Sequence, residues 1–260
     1  MSASRPVLWH LRISHYSEKV RWALAYKGIE HERRAPYPGV HMAVAMWLTR
    51  GRHVTFPVLQ LDGRGIGDST AIIAALEERY PDPTLYPEDP EERRRALQLE
   101  DFFDEELGPH IRLYLFHEVL REPERVVEAV ERDLPARLRG VDAARRAFAG
   151  YASTYAAVRF RVKGEGRAAA ARDKVLIALD RLEAELGDAE HLVGERFSVA
   201  DLTAAALFYP LVLPAEGPRL TDPPAPFEEF RAPLKERPGY RWVEEMFRRH
   251  RRPAEVAAAA

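Results

Sequence analysis

The sequence predicts two parts: an α/β unit with a mixed sheet over roughly residues 5–81, then an all-helical domain. Three observations carry this. Before residue 82, short apolar runs alternate with amphipathic segments of helical period. Between residues 81 and 91, Pro81, Pro83, Pro87 and Pro90 mark a connection by composition. Beyond it, apolar residues recur at helical spacing with no strand-like alternation. The expected division is 1–82 for the α/β domain, 83–90 for the linker and 91–255 for the helical domain.

Length and composition agree. A chain of 260 residues is large for one core and comfortable for two. Hydrophobic content of 46% and charged content of 31% describe a globular protein. A net charge of −2 gives no field for nucleic acid or an anionic membrane, so neither is expected as a partner. There is no cysteine, so any thiol chemistry must use a thiol brought in by a substrate. No charged-then-apolar leader and no apolar run near 18 residues is present; the expectation is a cytoplasmic protein. The nine histidines show no metal-ligand spacing, and no metal site is expected.

In chain order, Val7-Leu8-Trp9-His10-Leu11 suits a buried strand. Val20, Ala23, Leu24 and Lys27 then share one helical face, and Gly28 stands where a helix ends in the left-handed conformation. Ser17 can cap that helix, with Glu18 at its positive end. Ser14 lies in the turn just before it, where free N–H groups favour an anion. The two serines therefore either cap and turn the chain or hold a thiolate.

Ile29 to Arg33 alternates and is polar, as an edge strand would be. Residues 36–42 read as a loop, and Met42 to Leu48 as a short helix. Thr55-Phe56-Pro57-Val58-Leu59-Gln60-Leu61 is a strand headed by proline, which strands tolerate only at their start. Asp62-Gly63-Arg64-Gly65 reads as a hairpin turn, with Ile66-Gly67-Asp68 beginning the return. Ser69 to Tyr80 is an amphipathic helix with a hydroxyl or carboxylate cap. The glycines at 63, 65 and 67 lie in the hairpin, so they form no dinucleotide fingerprint.

In the second part, residues 91–121 form one long helix, kinked at Gly108-Pro109. Its Phe102, Phe103 and Tyr114 line either a pocket facing Ser14 or interface core. Residues 122–166 are charged and poorly periodic. A helix follows from about Arg167 to Leu186. Ser198 and Asp201 stand at capping-box spacing, with Phe197 as a staple to Leu202, before an almost wholly apolar helix through Leu213. The capping pair is structural.

Three separated motifs resemble the serine-type glutathione S-transferases. Ser14-His15-Tyr16-Ser17-x-x-Val20-Arg21 occupies the strand-to-helix position where thioredoxin-like proteins carry C-x-x-C. Thr55-Phe56-Pro57-Val58-Leu59 is similar to the family's cis-proline loop, with Asp68-Ser69 in place of its Glu-Ser pair. The Ser198–Asp201 capping box sits in an all-helical C-terminal domain. The resemblance implies a thioredoxin-like N-terminal domain, a homodimer, no bound cofactor, and glutathione or another small thiol as co-substrate.

It also implies roles. Ser14 matches the thiol-activating serine, whose hydroxyl stabilises the thiolate. Moving a thiol pKa from about 8.5–9 toward 6.5 needs roughly 3 kcal/mol of preference for the anion. One charged hydrogen bond (about 1.5–3 kcal/mol) plus a helix end (about 0.3–1) supplies it. Thr55, Phe56 and Pro57 would receive the thiol's peptide backbone. Asp68 and Ser69 would receive its ammonium and carboxylate, or serve as a plain helix cap. The expected function is transfer of the thiol to an electrophile; the alternatives are a different low-molecular-weight thiol or a non-catalytic binding member of the fold. The family's usual Asn-Pro segment is replaced by Arg50-Gly51-Arg52-His53.

Overall fold

The computed structural model of the chain describes residues 5–36, 40–131, 134, 136–218 and 222–251. Its first part runs β1 (Val7–Trp9), α1 (His15–Tyr26), β2 (Glu32–Arg34), α2 (Val40–Leu48), β3 (Val58–Leu61), β4 (Arg64–Gly67) and α3 (Ser69–Arg79). The sheet order is β2-β1-β3-β4, with β1 parallel to β2 and both other pairs antiparallel. The polar β2 lies at an edge, as its composition required. The expected loop residues 37–39 lie outside the described residues.

Alternation along the strands builds the two layers. Leu8 sits opposite Leu59, and both are buried with Val20, Ile72 and Ile73 under α1 and α3. Val58 faces the other way, onto Phe56 and onto Ala45 and Leu48 of α2. Between β3 and β4 the turn is only Asp62-Gly63, both at positive φ (47° and 78°), as a two-residue hairpin of this twist demands. Gly65 is therefore not a turn residue but part of β4. It passes so close to α2 that a Cβ there would lie 2.1 Å from the Leu48 carbonyl.

The proline-rich connection is tied down. Lys27 donates to the carbonyls of Tyr80 (2.7 Å) and Pro83 (2.8 Å) and pairs with Glu77. Leu85 is buried, and its carbonyl accepts the Val199 N–H at 2.8 Å.

The second part is helical: α4 (Pro90–Phe102), α5 (Gly108–Val119), α6 (Pro123–Glu131), α7 (Ala136–Arg139), α8 (Asp142–Arg159), α9 (Glu165–Leu186), α10 (Val199–Val212), α11 (Ala225–Arg231) and α12 (Pro238–His250). Where one long helix was expected, a π-helical turn at Phe103–Leu107 separates α4 from α5. Pro109 explains it, since it has no N–H to continue the ladder. The poorly periodic stretch 122–166 folds as α6, α7 and α8; Val126, Val127 and Val130 of α6 pack on Ala149 of α8. Helix α10 is buried along its whole length and packs on α1, α4, α5 and α12. At its start, Asp201 accepts the N–H groups of Ser198 and Leu192, each at 2.8 Å, which bears out the capping pair. Phe197 packs on Trp22 and His250. Phe103 and Tyr114 are core of the helical part and do not line the cleft: Phe103 meets Phe208, and Tyr114 packs on Phe227 and Phe230.

Candidate functional site

A cleft of about 750 Å³ opens between the two parts. Ser14, His15, Thr55, Phe56, Pro57, Asp68 and Ser69 line it from the α/β side. Arg112, Leu115 and Phe116 of α5, Val126 and Val130 of α6, and Tyr155 and Phe160 of α8 and its C-cap line the other. Each sequence-predicted site residue therefore meets the same cavity.

Ser14 sits between β1 and α1. It, not Ser17, is the N-cap: its Oγ accepts the Ser17 N–H at 3.2 Å. The helix starts three residues earlier than the apolar periodicity suggested, because Ser14 has extended backbone (φ −77°, ψ 124°) while His15 already turns. Ser17 is fully buried, and its Oγ accepts the Leu11 N–H at 3.3 Å. Because the Ser14 oxygen already accepts from the backbone, its own proton is left to donate.

Arg21 fixes the turn from below. Its guanidinium donates to Leu11 O (3.2 Å), Arg12 O (3.2 Å) and Ser14 O (3.4 Å), and pairs with Glu18 at 2.6 Å. Glu18 in turn pairs with Arg251 at 2.5 Å. His10 Nδ1 lies 2.8 Å from Arg21 Nη1. An arginine only donates, so that nitrogen carries no proton. Burial first, then the neighbouring arginines, lower the His10 pKa to about 3. Burial and then Arg112 lower that of His15 to about 3 as well. Both histidines are neutral, buried parts of the structure.

The hydroxyl of Tyr16, in the same turn, is already engaged. In the π turn the Asp104 carbonyl would take the N–H of residue 109, which is proline; Tyr16 Oη donates to that carbonyl instead, at 2.6 Å. Gly108 makes room, since a Cβ there would lie 2.2 Å from the same oxygen. Burial pushes the phenol pKa up, so it stays protonated. Ser14 is left as the hydroxyl of the α1 turn.

The Phe56–Pro57 bond is cis, as the motif implied. Both strand ladders begin at Val58, so the Phe56 N–H and C=O are not used by them. Asp68 caps α3 by accepting the N–H groups of Thr70 (3.0 Å) and Ala71 (3.1 Å), both through Oδ1. Its φ is +73°, a region that L-residues enter at a cost and that clusters at ligand sites. Behind it, a buried cluster joins the two parts: Lys19 Nζ contacts Thr70 Oγ1 (3.0 Å), Asp104 Oδ2 (2.5 Å) and Glu100 Oε1 (2.8 Å). Burial alone would lower the Lys19 pKa; the two carboxylates overturn that and raise it. Burial also pushes the Glu100 carboxyl up, although Lys19 opposes it. Among the described residues, no group of three or more His, Asp or Glu could hold a metal ion.

Sequence models of two domains match this chain: "Glutathione S-transferase, N-terminal domain" over residues 8–84 and "Glutathione S-transferase, C-terminal domain" over residues 118–218. The chain belongs to the glutathione S-transferase family. Maleylacetoacetate isomerase of Rattus norvegicus is 34% identical over 125 residues, which is 47% of this chain and 58% of that protein. The chain thus matches little more than half the length of this relative. Among solved structures, glutathione transferase GSTFuA3 from Phanerochaete chrysosporium is 22% identical with a TM-score of 0.62, covering 98% of this chain and 100% of that one. A glutathione S-transferase from Methylobacterium radiotolerans, solved with glutathione sulfonate, is 23% identical with a TM-score of 0.56, covering 92% and 93%. These likenesses show the fold. No helix among the described residues is long and apolar enough to cross a membrane.

The sequence reading missed the α5 and α8 walls of the cleft. Its one usable signal was Arg112, a lone charge inside the apolar run Ile111–Phe116. His41 of α2 and Tyr155 of α8, 3.2 Å apart, close the cleft from opposite sides and carried no local signal.

Proposed function

We propose that this chain is an enzyme that binds glutathione in the cleft, holds its sulfur as a thiolate at Ser14, and directs it at an electrophile held against α5 and α8. The observation that carries this is the Ser14 hydroxyl: it lines the cleft at a helix N-terminus, with its oxygen engaged by the Ser17 N–H and its proton unassigned. The peptide of the thiol would pair with the Phe56 backbone as an added strand does. Its ammonium and carboxylate would go to Asp68 Oδ2 and Ser69.

The similarity to maleylacetoacetate isomerase favours a second outcome of the same first step. A thiolate that adds to a conjugated double bond leaves a single bond; rotation and elimination then return the thiol. Transfer and isomerisation differ in whether thiol is consumed. Calorimetric titration with glutathione, then turnover of 1-chloro-2,4-dinitrobenzene and of a conjugated cis-enone acid with thiol followed in parallel, tests both. Thiol loss equal to product supports transfer, and product without thiol loss supports isomerisation. No heat and no turnover would remove both readings.

A further inference from the structure

Most buried cations of this chain have a carboxylate against them: Lys19 has Glu100 and Asp104, Arg21 and Arg251 have Glu18, and Lys27 has Glu77. Arg112 differs. It is largely buried on α5, its Nε is buried without a hydrogen-bond partner, and no carboxylate among the described residues pairs with it. Its guanidinium lies over the Phe160 ring at 4.4 Å and the Tyr16 ring at 5.8 Å. Phe160 stacks in turn on Phe116 (5.3 Å, 9° between planes) and meets Tyr155 edge-on. These residues form one wall of the cleft that Ser14 enters from the other side.

We infer that Arg112 receives a carboxylate of the second substrate, and that this substrate is an aryl-bearing carboxylate electrophile. The inference rests on the reading of Ser14 as the thiol site. A buried guanidinium with an unmet donor is costly to leave without an anion, and its planar fork matches a carboxylate. The flat apolar wall beside it suits an aromatic body rather than a small aliphatic diacid. Arg12 and Arg159 line the cleft as well, with Asp101, Asp104 and Glu105, so its charges are mixed; Arg112 stands apart by its burial and its unmet donor. Burial lowers the Arg112 pKa, in keeping with a cation short of a partner.

Calorimetry with S-benzylglutathione and S-(4-carboxybenzyl)glutathione tests this on the unmodified protein. The carboxylated conjugate should bind at least 10-fold more tightly. Arg112→Leu should abolish that preference while S-benzylglutathione still binds measurably, and Arg112→Lys should keep part of it. Equal affinities in the unmodified protein would overturn the inference. So would an Arg112→Leu variant that loses both ligands alike, which would assign the arginine to the thiol. If neither conjugate binds the unmodified protein, the thiol-site reading falls and takes this one with it; equal, measurable binding sinks only the role of Arg112.

Discussion

The Ser14 Oγ accepts the Ser17 N–H at 3.2 Å, so one side chain both starts helix α1 and faces the cleft. Capping and chemistry therefore cannot be separated by deletion alone. Ser14→Ala should lose about 1 kcal/mol of stability with the cap and at least 10-fold in turnover. Ser14→Asp separates the two, because aspartate caps as well as serine but has no proton to give and repels a thiolate. Urea denaturation should find Ser14→Asp close to the parent in stability, and steady-state assays should find it as impaired as Ser14→Ala. An active Ser14→Asp variant would remove the hydroxyl from the chemistry.

Ser17→Ala acts on a different bond. The buried Ser17 Oγ accepts from Leu11, at the end of the segment that follows β1. Its loss leaves a half-buried N–H without an acceptor, which costs about 1–2 kcal/mol. The denaturation midpoint should fall accordingly, and turnover should fall less than in Ser14→Ala.

The sequence reveals elements where one local rule decides and misleads where two compete. Alternation about Leu59 gives β3, and the glycine-rich stretch gives its hairpin, although the expected turn over 62–65 closes in two residues and β4 already begins at Arg64. At α1 the apolar stripe begins at Val20, so periodicity places the helix start late, whereas the cap is set by backbone dihedrals at Ser14. The α/β half of the cleft was legible because its lining comes from three short local motifs: the turn before α1, the cis-proline loop and the start of α3. The other half is not, because Arg112, Phe116, Tyr155 and Phe160 come from separate helices whose packing no local pattern encodes. Phe116 reads from sequence like the core residue Phe103, and only the tertiary arrangement distinguishes them.

Arg21 bridges three carbonyls of the loop and turn that carry Ser14. Lysine keeps the charge near Glu18 but cannot span the loop with a fork. Arg21→Lys should therefore fold, with a loss of about 1–3 kcal/mol, since carbonyls are left short of donors. It should also raise the pH at which the bound thiol ionises, because Ser14 is no longer fixed. The pH profile of kcat is the measurement; an unchanged profile with lowered stability would limit Arg21 to a structural role.

Acid stability follows from the two buried histidines. Their folded pKa values of about 3 lie below the ordinary 6.5, so the unfolded chain binds more protons between those limits. Stability is then full above pH 6.5 and is lost as pH falls toward 3, at up to about 1.4 kcal/mol per pH unit for each histidine. His10→Gln keeps an acceptor for Arg21 but cannot charge. Urea denaturation at pH 7 and pH 5 should show a smaller acid loss in this variant than in the parent, by about 1–2 kcal/mol. Equal losses would mean that His10 is protonated in the folded state.

Asp68 tests the amine end of the thiol site. Its Oδ1 satisfies two N–H groups of α3, which leaves Oδ2 for a cation in the cleft. Asparagine is the informative replacement: it caps as well as aspartate and is among the residues that best accept positive φ, so the backbone at +73° is not further penalised. The substitution removes only the charge. A charge-assisted hydrogen bond to an ammonium is worth about 1–2 kcal/mol more than its neutral counterpart at a half-open site. Asp68→Asn should thus weaken glutathione binding by about 5- to 30-fold in calorimetry, with denaturation unchanged within about 0.5 kcal/mol. Removing the amine from the ligand provides the complement: desamino-glutathione should bind both proteins equally. If Asp68→Asn binds glutathione as the parent does, Asp68 is a helix cap and the ammonium is held elsewhere.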